Sequence, residues 1–370
     1  MNDAPHIPPP TRGQAERAAR KAQRMAERLA RRAARNAGRA PVAPEFDILI
    51  VAQRGGIDRE AAILAASLRL NTPGFRGRLI VAEPQPGGAW AGTDPRMSPL
   101  AREALVALGA EIRPLHARSF GRSYPHGNKI EALALLDPGR PFLFLDSDTL
   151  VTGDLDAVAF DFARPSASMR REGSWPVPPP YHHGYDSIWR SLYDRFGLDM
   201  DGSLDLSQPP DHWERFLYFN AGWFFGADPA QFHRRFHDWA VAVRADPGEA
   251  LACQSLDPWL DQVVLPLVIH SLGGGRPGPE LDGLDGDVTW HWRNPALLYA
   301  QAPDPALTTF ETVAALPEIA PLLEGWEAAE RLLTGGEGRR LVRPLGAAHP
   351  PQAPERALRK RLKRAGLWLT

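Results

Sequence analysis

The stretch RPFLFLDSDTLVTGDL, residues 140–155, carries the most information about the fold. Its apolar run Phe142–Leu145 predicts a strand that is buried on both faces, as in a parallel sheet covered by helices. Asp146 and Asp148 follow this run directly, at the end of the strand where open α/β sheets bind their ligands. Their carboxylates are hard oxygen ligands that suit Mg²⁺ or Mn²⁺. The alternative is a polar junction between a strand and a turn, which a D-x-D triplet alone does not exclude.

The flanking sequence alternates between buried strands and helical segments, and this order predicts an α/β fold with a mostly parallel, Rossmann-type sheet flanked by helices. Gly55 and Gly56 follow the first strand without forming a dinucleotide-binding G-x-G-x-x-G. Asp58 is the expected N-cap of the first helix. The predicted strands are Phe46–Gln53, 77–84, 110–115, 142–145 and 217–227. The predicted helices are Asp58–Leu70, 99–110, 128–136, Ser187–Phe196, Pro229–Arg244 and 256–270.

The composition is that of a soluble or peripheral protein with one large or two ordinary domains. The chain has 370 residues, of which 24% are charged. Cys253 is the only cysteine, which excludes an intramolecular disulfide and fits the cytoplasm, and we interpret it as a thiol buried in a helix. The start MNDAPHIPPP lacks an apolar signal core, and no apolar stretch has membrane-spanning length.

Positive charge is concentrated at the two ends of the chain. Residues 1–41 hold ten Lys or Arg against three acids, and residues 352–370 hold six against one, which leaves 27 basic and 40 acidic residues between them. An acidic central part argues against nucleic acid as a partner of the core. We therefore expect a basic Ala/Arg-rich helical arm at 1–42 that is partly disordered, a main domain at 43–345 and a basic amphipathic helical tail at 346–370.

Three further motifs follow the D-S-D triplet in chain order: FNAGWFF at 219–225, LDQ at 260–262 and WHW at 290–292. In this order they resemble the retaining glycosyltransferases of family 8, which have the GT-A fold and include bacterial lipooligosaccharide galactosyltransferases and glycogenin. The resemblance covers roughly residues 45–295. It implies transfer of a hexose from a nucleotide-sugar donor to a saccharide or glycolipid acceptor in cell-surface glycan synthesis.

The resemblance also implies a divalent cofactor, Mn²⁺ or Mg²⁺, bound by Asp146, Asp148 and His291. Ser147 would then leave space for the nucleotide ribose. A divalent ion there stabilises the negative charge that builds up on the leaving nucleoside diphosphate. The alternative for His291 is simple packing between two tryptophans, since many histidines are buried for packing alone.

Donor binding is implied for Gln53, Lys129, Asn220, Ala221 and Gly222. Gln53 ends the first strand, where the family binds the nucleotide base, and Lys129 corresponds to a cation that contacts phosphate or sugar. Asn220 offers hydrogen bonds to sugar hydroxyls, and Gly222 allows the sugar to approach the backbone.

Asp261 and Gln262 correspond to the catalytic pair beside the anomeric carbon. An acid there stabilises oxocarbenium character, and the amide oxygen stabilises the opposite face of the sugar. The alternative for Asp261 is a helix cap or an ion-pair partner. No strong general base is evident in the sequence, which favours retaining chemistry, where the leaving phosphate takes the proton.

The chain departs from the family near His291. The family closes its phosphate pocket with a Gly and a Lys-Pro-Trp sequence, whereas here residues 291–295 read HWRNP. Arg293 would supply the positive charge instead. The acid that recognises uridine after the first strand is not evident either, so the nucleotide stays open.

Residues 173–215 are rich in Trp, Tyr, His and Pro, and we expect an acceptor-binding or lid insertion there. The alternative is a loop packed on its own aromatic anchors. A metal site at His182 and His183 is disfavoured because adjacent residues of an extended chain point in opposite directions.

The tail carries six cations and Trp368, which suits contact with an anionic inner-membrane surface from the cytoplasm. The alternative is a solubilising tail. Two other functions remain open: a nucleotidyltransferase, although QRGGIDRE at 53–60 lacks the lysine it needs, and a non-catalytic sugar- or lipid-binding relative.

Overall fold

The computed structural model describes residues 45–171, 173–350 and 353–369. The basic arm predicted at 1–42 lies outside these residues. The described chain is an α/β structure with a central six-stranded sheet and a second sheet of two strands. This confirms the predicted fold class.

The six-stranded sheet has the order β3-β2-β1-β4-β7-β6, and β5 pairs with β8 in the small sheet. Strands β3, β2, β1 and β4 are parallel, whereas β7 is antiparallel to both β4 and β6. The strands are β1 (Asp47–Val51), β2 (Leu79–Pro84), β3 (Ala110–Leu115), β4 (Phe142–Leu145), β5 (Thr149–Val151), β6 (Ala167–Ser168), β7 (Asn220–Gly226) and β8 (Thr289–His291).

The helices of the first half are α1 (Ile57–Asn71), α2 (Pro99–Ala107), α3 (Asn128–Ala132), α4 (Tyr185–Arg195), α5 (Pro229–Ala245) and α6 (Leu260–Ser271). Those that follow β8 are α7 (Pro295–Gln301), α8 (Asp304–Ala314), α9 (Ala320–Leu323), α10 (Arg343–Ala347) and α11 (Glu355–Arg364). Two π-helical turns, Ala329–Thr334 and Gly338–Val342, lie between α9 and α10.

Both faces of the sheet are covered, as the continuous apolar strands predict. Ile48 and Ile50 pack into a core on one face together with α1 and the helices after β8. Leu49 and Val51, which alternate with them along β1, pack into a core on the other face together with α5 and α6.

The order of the strands determines where a ligand can bind. β1 lies between β2 and β4, so the chain connections leave in opposite directions there and a crevice opens at the carboxyl ends of β1 and β4. Because β7 is antiparallel to β4, it is the start of β7 that lies at this edge. Trp223 pairs with Leu145, and the Asp146 amide donates to the Gly222 carbonyl at 2.8 Å.

Two local expectations were wrong. Gly56, not Asp58, precedes the first turn of α1, and the Asp58 carboxylate instead accepts hydrogen bonds from the amides of Arg59 and Ser98, which joins α1 to the start of α2. Cys253 is exposed in a turn before α6 rather than buried in a helix, and its Sγ lies 3.6 Å from His182 Nδ1.

The insertion is anchored by two buried tryptophans. Trp175 and Trp189 meet edge to face at 5.4 Å between ring centroids, and the Trp175 indole donates to the Ser255 carbonyl. Their rings are therefore engaged in packing, as the self-packed alternative expects. Tyr181, by contrast, is fully exposed.

The C-terminal helix α11 packs on the domain. Leu358 and Leu362 are both 0% exposed, and Leu367 and Leu369 are buried in the same core. The apolar side of the predicted tail is thus covered by the protein, while Arg356, Lys360 and Arg364 remain on the surface. No helix in the described ranges has both the length and the apolar character needed to cross a membrane.

Candidate metal and donor site

A cavity of about 220 Å³ opens at the crevice between β1 and β4. The acids that follow β4 line its acidic end. The residues that line it are Val51, Gln53, Ile57, Glu60, Pro125, His126, Asn128, Lys129, Phe144, Asp146, Ser147 and Asp148.

Asp146, Asp148 and His291 come together at the acidic end, with ligand atoms that all lie within 4.8 Å of one another. The His291 Nε2 atom is 3.0 Å from Asp148 Oδ1 and 4.0 Å from Asp146 Oδ2. Two carboxylates and one imidazole form a donor set that fits Mn²⁺, and the same oxygens suit Mg²⁺. These residues can therefore hold a divalent ion.

The small sheet positions His291. Thr149, which follows Asp148, pairs with His291 across β5 and β8, and the Trp292 amide donates to the Asp148 carbonyl at 2.9 Å. On the other side, Gly222 leaves the space that the imidazole occupies, because a Cβ at residue 222 would lie 2.5 Å from His291 Nδ1.

The electrostatics of this end favour a cation. Burial alone would raise the pKa of Asp148, but the His291 ring together with Lys129 and a backbone hydrogen bond outweighs burial and lowers that pKa. Burial would lower the pKa of His291, whereas the Asp148 carboxylate raises it. Glu60 lines the same cavity, and burial together with Asp148 and Asp146 raises the pKa of Glu60 to about 8. Carboxyl groups crowded in this way gain from a bound cation.

Lys129 connects the metal ligands with the predicted catalytic pair. Its Nζ atom lies 2.8 Å from Asp146 Oδ1, 3.3 Å from Asp261 Oδ2 and 3.2 Å from the Ala221 carbonyl oxygen. Burial would lower the pKa of Lys129, but Asp146 and Asp261 outweigh it and raise that pKa. The ammonium group is therefore charged and holds two acids together.

Two tyrosines orient Asp261 and Gln262. The Tyr124 hydroxyl donates to Asp261 Oδ1 at 2.8 Å and also accepts from the Asp261 amide. The Tyr218 hydroxyl donates to Gln262 Oε1 at 2.8 Å, which leaves that oxygen a second lone pair. Both residues lie in the first turn of α6, so the helix presents them side by side.

The remaining residues that we predicted to bind the nucleotide-sugar donor lie around this cluster. The Ser147 hydroxyl donates to the Val51 carbonyl, which joins the D-S-D segment to β1. Asn220 accepts from the Gly222 amide at 2.8 Å through its side-chain oxygen. Gln53 also lines the cavity and accepts from Asn128 Nδ2 at 2.7 Å.

Arg293 lies elsewhere. It has a positive φ of 57° directly after Trp292, and its guanidinium forms an ion pair with Glu355 at the start of α11. It is not among the residues that line the cavity. Arg293 thus links the segment after β8 to the C-terminal helix, and its contact with the donor phosphate stays a prediction.

Sequence reasoning missed Glu60, Tyr124 and Tyr218. The signal for Glu60 was its spacing of three from Ile57 in the first turn after β1, which places both on the helix face toward the crevice. The tyrosines gave no signal, because Tyr218 lies in the apolar segment FLYFN, where an aromatic residue is expected in the core, and Tyr124 lies in the loop-like stretch RSYPHG.

Residues 48–273 match a family described as the Rhodobacterales glycosyltransferase domain. The match spans more than half of the chain and includes Asp146, Asp148, Asp261 and Gln262 but not His291. No curated protein matches the sequence.

The chain is also similar to solved structures, two of which are described as glycosyltransferases. An active-site mutant of LgtC has a TM-score of 0.42 and 15% identity, over 74% of this chain and 96% of its own. The apo form of the bifunctional glycosyltransferase WbbM has a TM-score of 0.42 and 13% identity, and the match covers 77% of this chain and 52% of the WbbM chain. The glycosyltransferase GlyE of Streptococcus pneumoniae TIGR4 has a TM-score of 0.38 and 10% identity, and the match covers 84% of this chain and 66% of the GlyE chain.

Proposed function

From the premise that this chain belongs to the Rhodobacterales glycosyltransferase domain family, and is therefore a sugar-transferring enzyme, we propose that it is a metal-dependent hexosyltransferase with a nucleotide-sugar donor. The observation that carries the proposal is the cluster of Asp146, Asp148 and His291 at the crevice of the sheet. The family match favours this function over a nucleotidyltransferase, and the cluster of possible metal ligands favours it over a non-catalytic relative.

Two groups of residues would share the catalytic work: the metal-binding group would act on the diphosphate, and Asp261 would act on the anomeric carbon. A divalent ion on Asp146, Asp148 and His291 would act as a Lewis acid on the donor diphosphate. Lys129 keeps Asp261 beside the metal ligands, and Asp261 stabilises positive charge on the anomeric carbon. The acceptor hydroxyl forms the new glycosidic bond while the bond to diphosphate breaks, and the leaving diphosphate takes the hydroxyl proton. The acceptor attacks on the face from which the diphosphate leaves, so this course retains the anomeric configuration.

We test the metal role by replacing one ligand without changing its shape. Asp148→Asn should lower metal-dependent turnover of a panel of nucleotide sugars by at least about 100-fold, because the amide is a much weaker ligand. Asp211→Asn, at an exposed position, is the matched control. Mn²⁺-dependent hydrolysis and transfer are measured together with the circular dichroism spectrum. Full activity of Asp148→Asn with Mn²⁺ would refute the metal role.

The acceptor is a saccharide or a lipid-linked saccharide in our proposal. Trp259 supports this, since its ring is 41% exposed two residues before Asp261, where a sugar could stack on it. Trp259→Ala should raise the acceptor KM and leave donor hydrolysis unchanged. Equal loss of both activities would count against an acceptor contact.

Peripheral binding to an anionic membrane is proposed on charge alone, because the leucines of α11 are buried. Arg356, Lys360, Arg361, Lys363 and Arg364 lie on its exposed side. Sedimentation with vesicles should show binding that needs anionic lipid and weakens with salt. Equal recovery with neutral and anionic vesicles would remove the membrane from the proposal.

A further inference from the structure

Arg170, just after strand β6, is a partly buried cation that the proposed chemistry does not use. Its guanidinium lies over the Trp290 ring, with 3.8 Å between Cζ and the ring centroid. One of its terminal nitrogens, Nη1, is buried and has no hydrogen-bond partner among the residues that the structure describes. Burying a polar group is costly unless it is hydrogen-bonded, so this nitrogen still needs an acceptor.

The next arginine in the chain shows the difference. Arg171 lies over the Trp213 ring in the same way, at 4.6 Å, but its Nη1 atom donates to the Tyr218 carbonyl at 3.2 Å. Arg171 therefore holds the segment whose tyrosine orients Gln262. Arg170 has the same kind of stacking partner without such an acceptor.

The acids that act on Arg170 are already engaged with other donors. Asp285 accepts three hydrogen bonds, from a serine hydroxyl, a backbone amide and a tryptophan indole. Glu355 pairs with Arg293 and Arg359. Neither acid donates its oxygens to Arg170 within ion-pair distance, so the missing acceptor has to come from outside the described chain.

The charge balance around Arg170 favours an anion. Burial lowers the pKa of Arg170 to about 10 and Arg293 acts in the same direction, whereas Asp285 and Glu355 raise it. The guanidinium is still charged at neutral pH. A bound anion would offset both the burial of this charge and the repulsion from Arg293.

The topology places Arg170 at the ligand-binding edge of the sheet, away from the donor cavity. Strand β6 is antiparallel to β7, and its last residue, Ser168, pairs with Asn220 at the start of β7. Trp290, which the guanidinium covers, directly precedes His291. The cavity opens between β1 and β4, whereas β6 is the edge strand beyond β7, and Arg170 does not line the cavity. Arg170 thus lies on the acceptor side of the metal ligands rather than on the nucleotide side.

We propose that Arg170 binds an anionic group of the acceptor, either the carboxylate of an acidic sugar or the phosphate of a phosphorylated glycan or glycolipid. Both groups accept two parallel hydrogen bonds from one planar guanidinium. The Trp290 ring covers one face of the guanidinium and fixes its plane, which leaves the N–H edge for the anion. This inference rests on the proposed function, because it requires a saccharide acceptor.

The test uses glycosides that differ only at carbon 6. Methyl glucoside, methyl glucuronide and methyl glucoside 6-phosphate carry a hydroxyl, a carboxylate and a phosphate there, and the corresponding galactosides form a second series. Dissociation constants are measured by calorimetry without Mn²⁺, so that no phosphate binds through a metal ion. The ratio between the neutral and the charged member of a series cancels changes that affect both equally.

Native protein should bind a charged member about 10- to 100-fold more tightly than the neutral one. Preference for the uronide would identify an acidic sugar, and preference for the phosphate a phosphorylated acceptor. Arg170→Gln should bring the ratio close to one. Arg170→Lys keeps the charge without the planar fork and should lose part of the preference. Arg164→Gln, at an exposed position before β6, is the control and should keep the native ratio.

Equal binding of charged and neutral glycosides by native protein would overturn the inference, and so would a failure of all six to bind. In both cases Mn²⁺-dependent hydrolysis of the donor, measured on the same preparation, still decides the proposed function. A native ratio in folded Arg170→Gln would also overturn the inference. If Arg170→Gln does not fold, an unchanged ratio in Arg170→Lys has the same consequence.

Discussion

Gly222 shows how one missing side chain permits the candidate metal site. The Cβ of any larger residue would lie 2.5 Å from His291 Nδ1 and 2.9 Å from Asn220 Oδ1, both far closer than van der Waals contact. The backbone of Gly222 cannot move away, because its carbonyl accepts from the Asp146 amide in the ladder between β7 and β4. The imidazole is therefore the group that must yield.

Gly222→Ala should weaken Mn²⁺ binding by about 10- to 100-fold while the protein stays folded, since displacing a ligand ring costs as much as losing the groups that orient it. Calorimetric titration with Mn²⁺ in the absence of a donor measures this. Gly184→Ala is the control, because nothing lies within 4 Å of the added Cβ there. Equal Mn²⁺ affinity of Gly222→Ala and native protein would show that His291 does not bind the ion.

At the level of single residues, the sequence identified side chains by type and order, and the structure assigned their contacts. Asp146 and Asp148 were predicted together because they are adjacent to one strand. Lys129 was predicted as a phosphate contact, yet its ammonium lies between Asp146 and Asp261. That position depends on α3 and α6 meeting in space, which spacing along the chain does not reveal.

Among the elements, α11 shows the largest difference between its sequence and its role. Its cations suggested a tail on the surface, whereas its leucines complete the core beside α7 and α10. Glu355 also pairs with Arg293, two residues beyond His291, a candidate metal ligand. The helix thus supports the end of the strand that carries His291.

Leu358→Ala should lower the free energy of unfolding by about 2–5 kcal/mol, because the side chain is 0% exposed and its removal leaves a cavity. Denaturation in urea measures the loss. Lys360→Ala, on the exposed side of the same helix, should change stability by less than about 0.5 kcal/mol. Similar effects of the two substitutions would mean that α11 detaches in solution.

Strand β7 explains why the FNAG motif reaches the candidate metal site. A parallel strand would have placed Asn220 and Gly222 at the far edge of the sheet, about 20 Å from the end of β4. The antiparallel pairing brings the start of β7 beside Asp146. Periodicity predicted the strand correctly but contains no information on its direction.

For the molecule as a whole, stability depends on a buried acid at the start of the central strand. Asp47 is 2% exposed and accepts hydrogen bonds from Arg78 at 3.2 Å, with a further ion pair to Arg140 at 2.9 Å. Burial alone would raise the pKa of Asp47, but the bonds from these arginines outweigh it and lower that pKa.

A lowered pKa means that the folded state prefers the ionised carboxylate. The stabilisation is complete above the ordinary pKa of 3.8 and is lost as the pH falls through the lower folded value. Asp47→Asn should therefore cost about 2 kcal/mol at pH 7, toward the lower end for charged hydrogen bonds because both arginines are about a third exposed.

Urea denaturation between pH 3 and pH 7 measures the difference between native protein and Asp47→Asn, which should shrink below pH 3.8. Asp211→Asn, exposed at the surface, should show no such trend. A difference that stays constant with pH would mean that Asp47 stabilises the fold by packing rather than by charge.

The sequence by itself determined the α/β class and the position of the acidic site, because both follow from local patterns. A continuous apolar run predicts a doubly covered strand, and acids directly after it must lie at the ligand-binding edge of a parallel sheet. Four motifs in family order added Asp261, Gln262 and His291, which lie far apart along the chain.

Only the tertiary structure decided what each of these groups contacts. The ion pairs of Lys129 and Arg293, the burial of Leu358 and the stacking of Arg170 over Trp290 all join residues that are distant in sequence. Such contacts depend on strand direction, helix packing and the sense of each hydrogen bond, and none of these leaves a period or a spacing in the sequence. The D-S-D triplet located the site, and the fold around it determines what the site can bind.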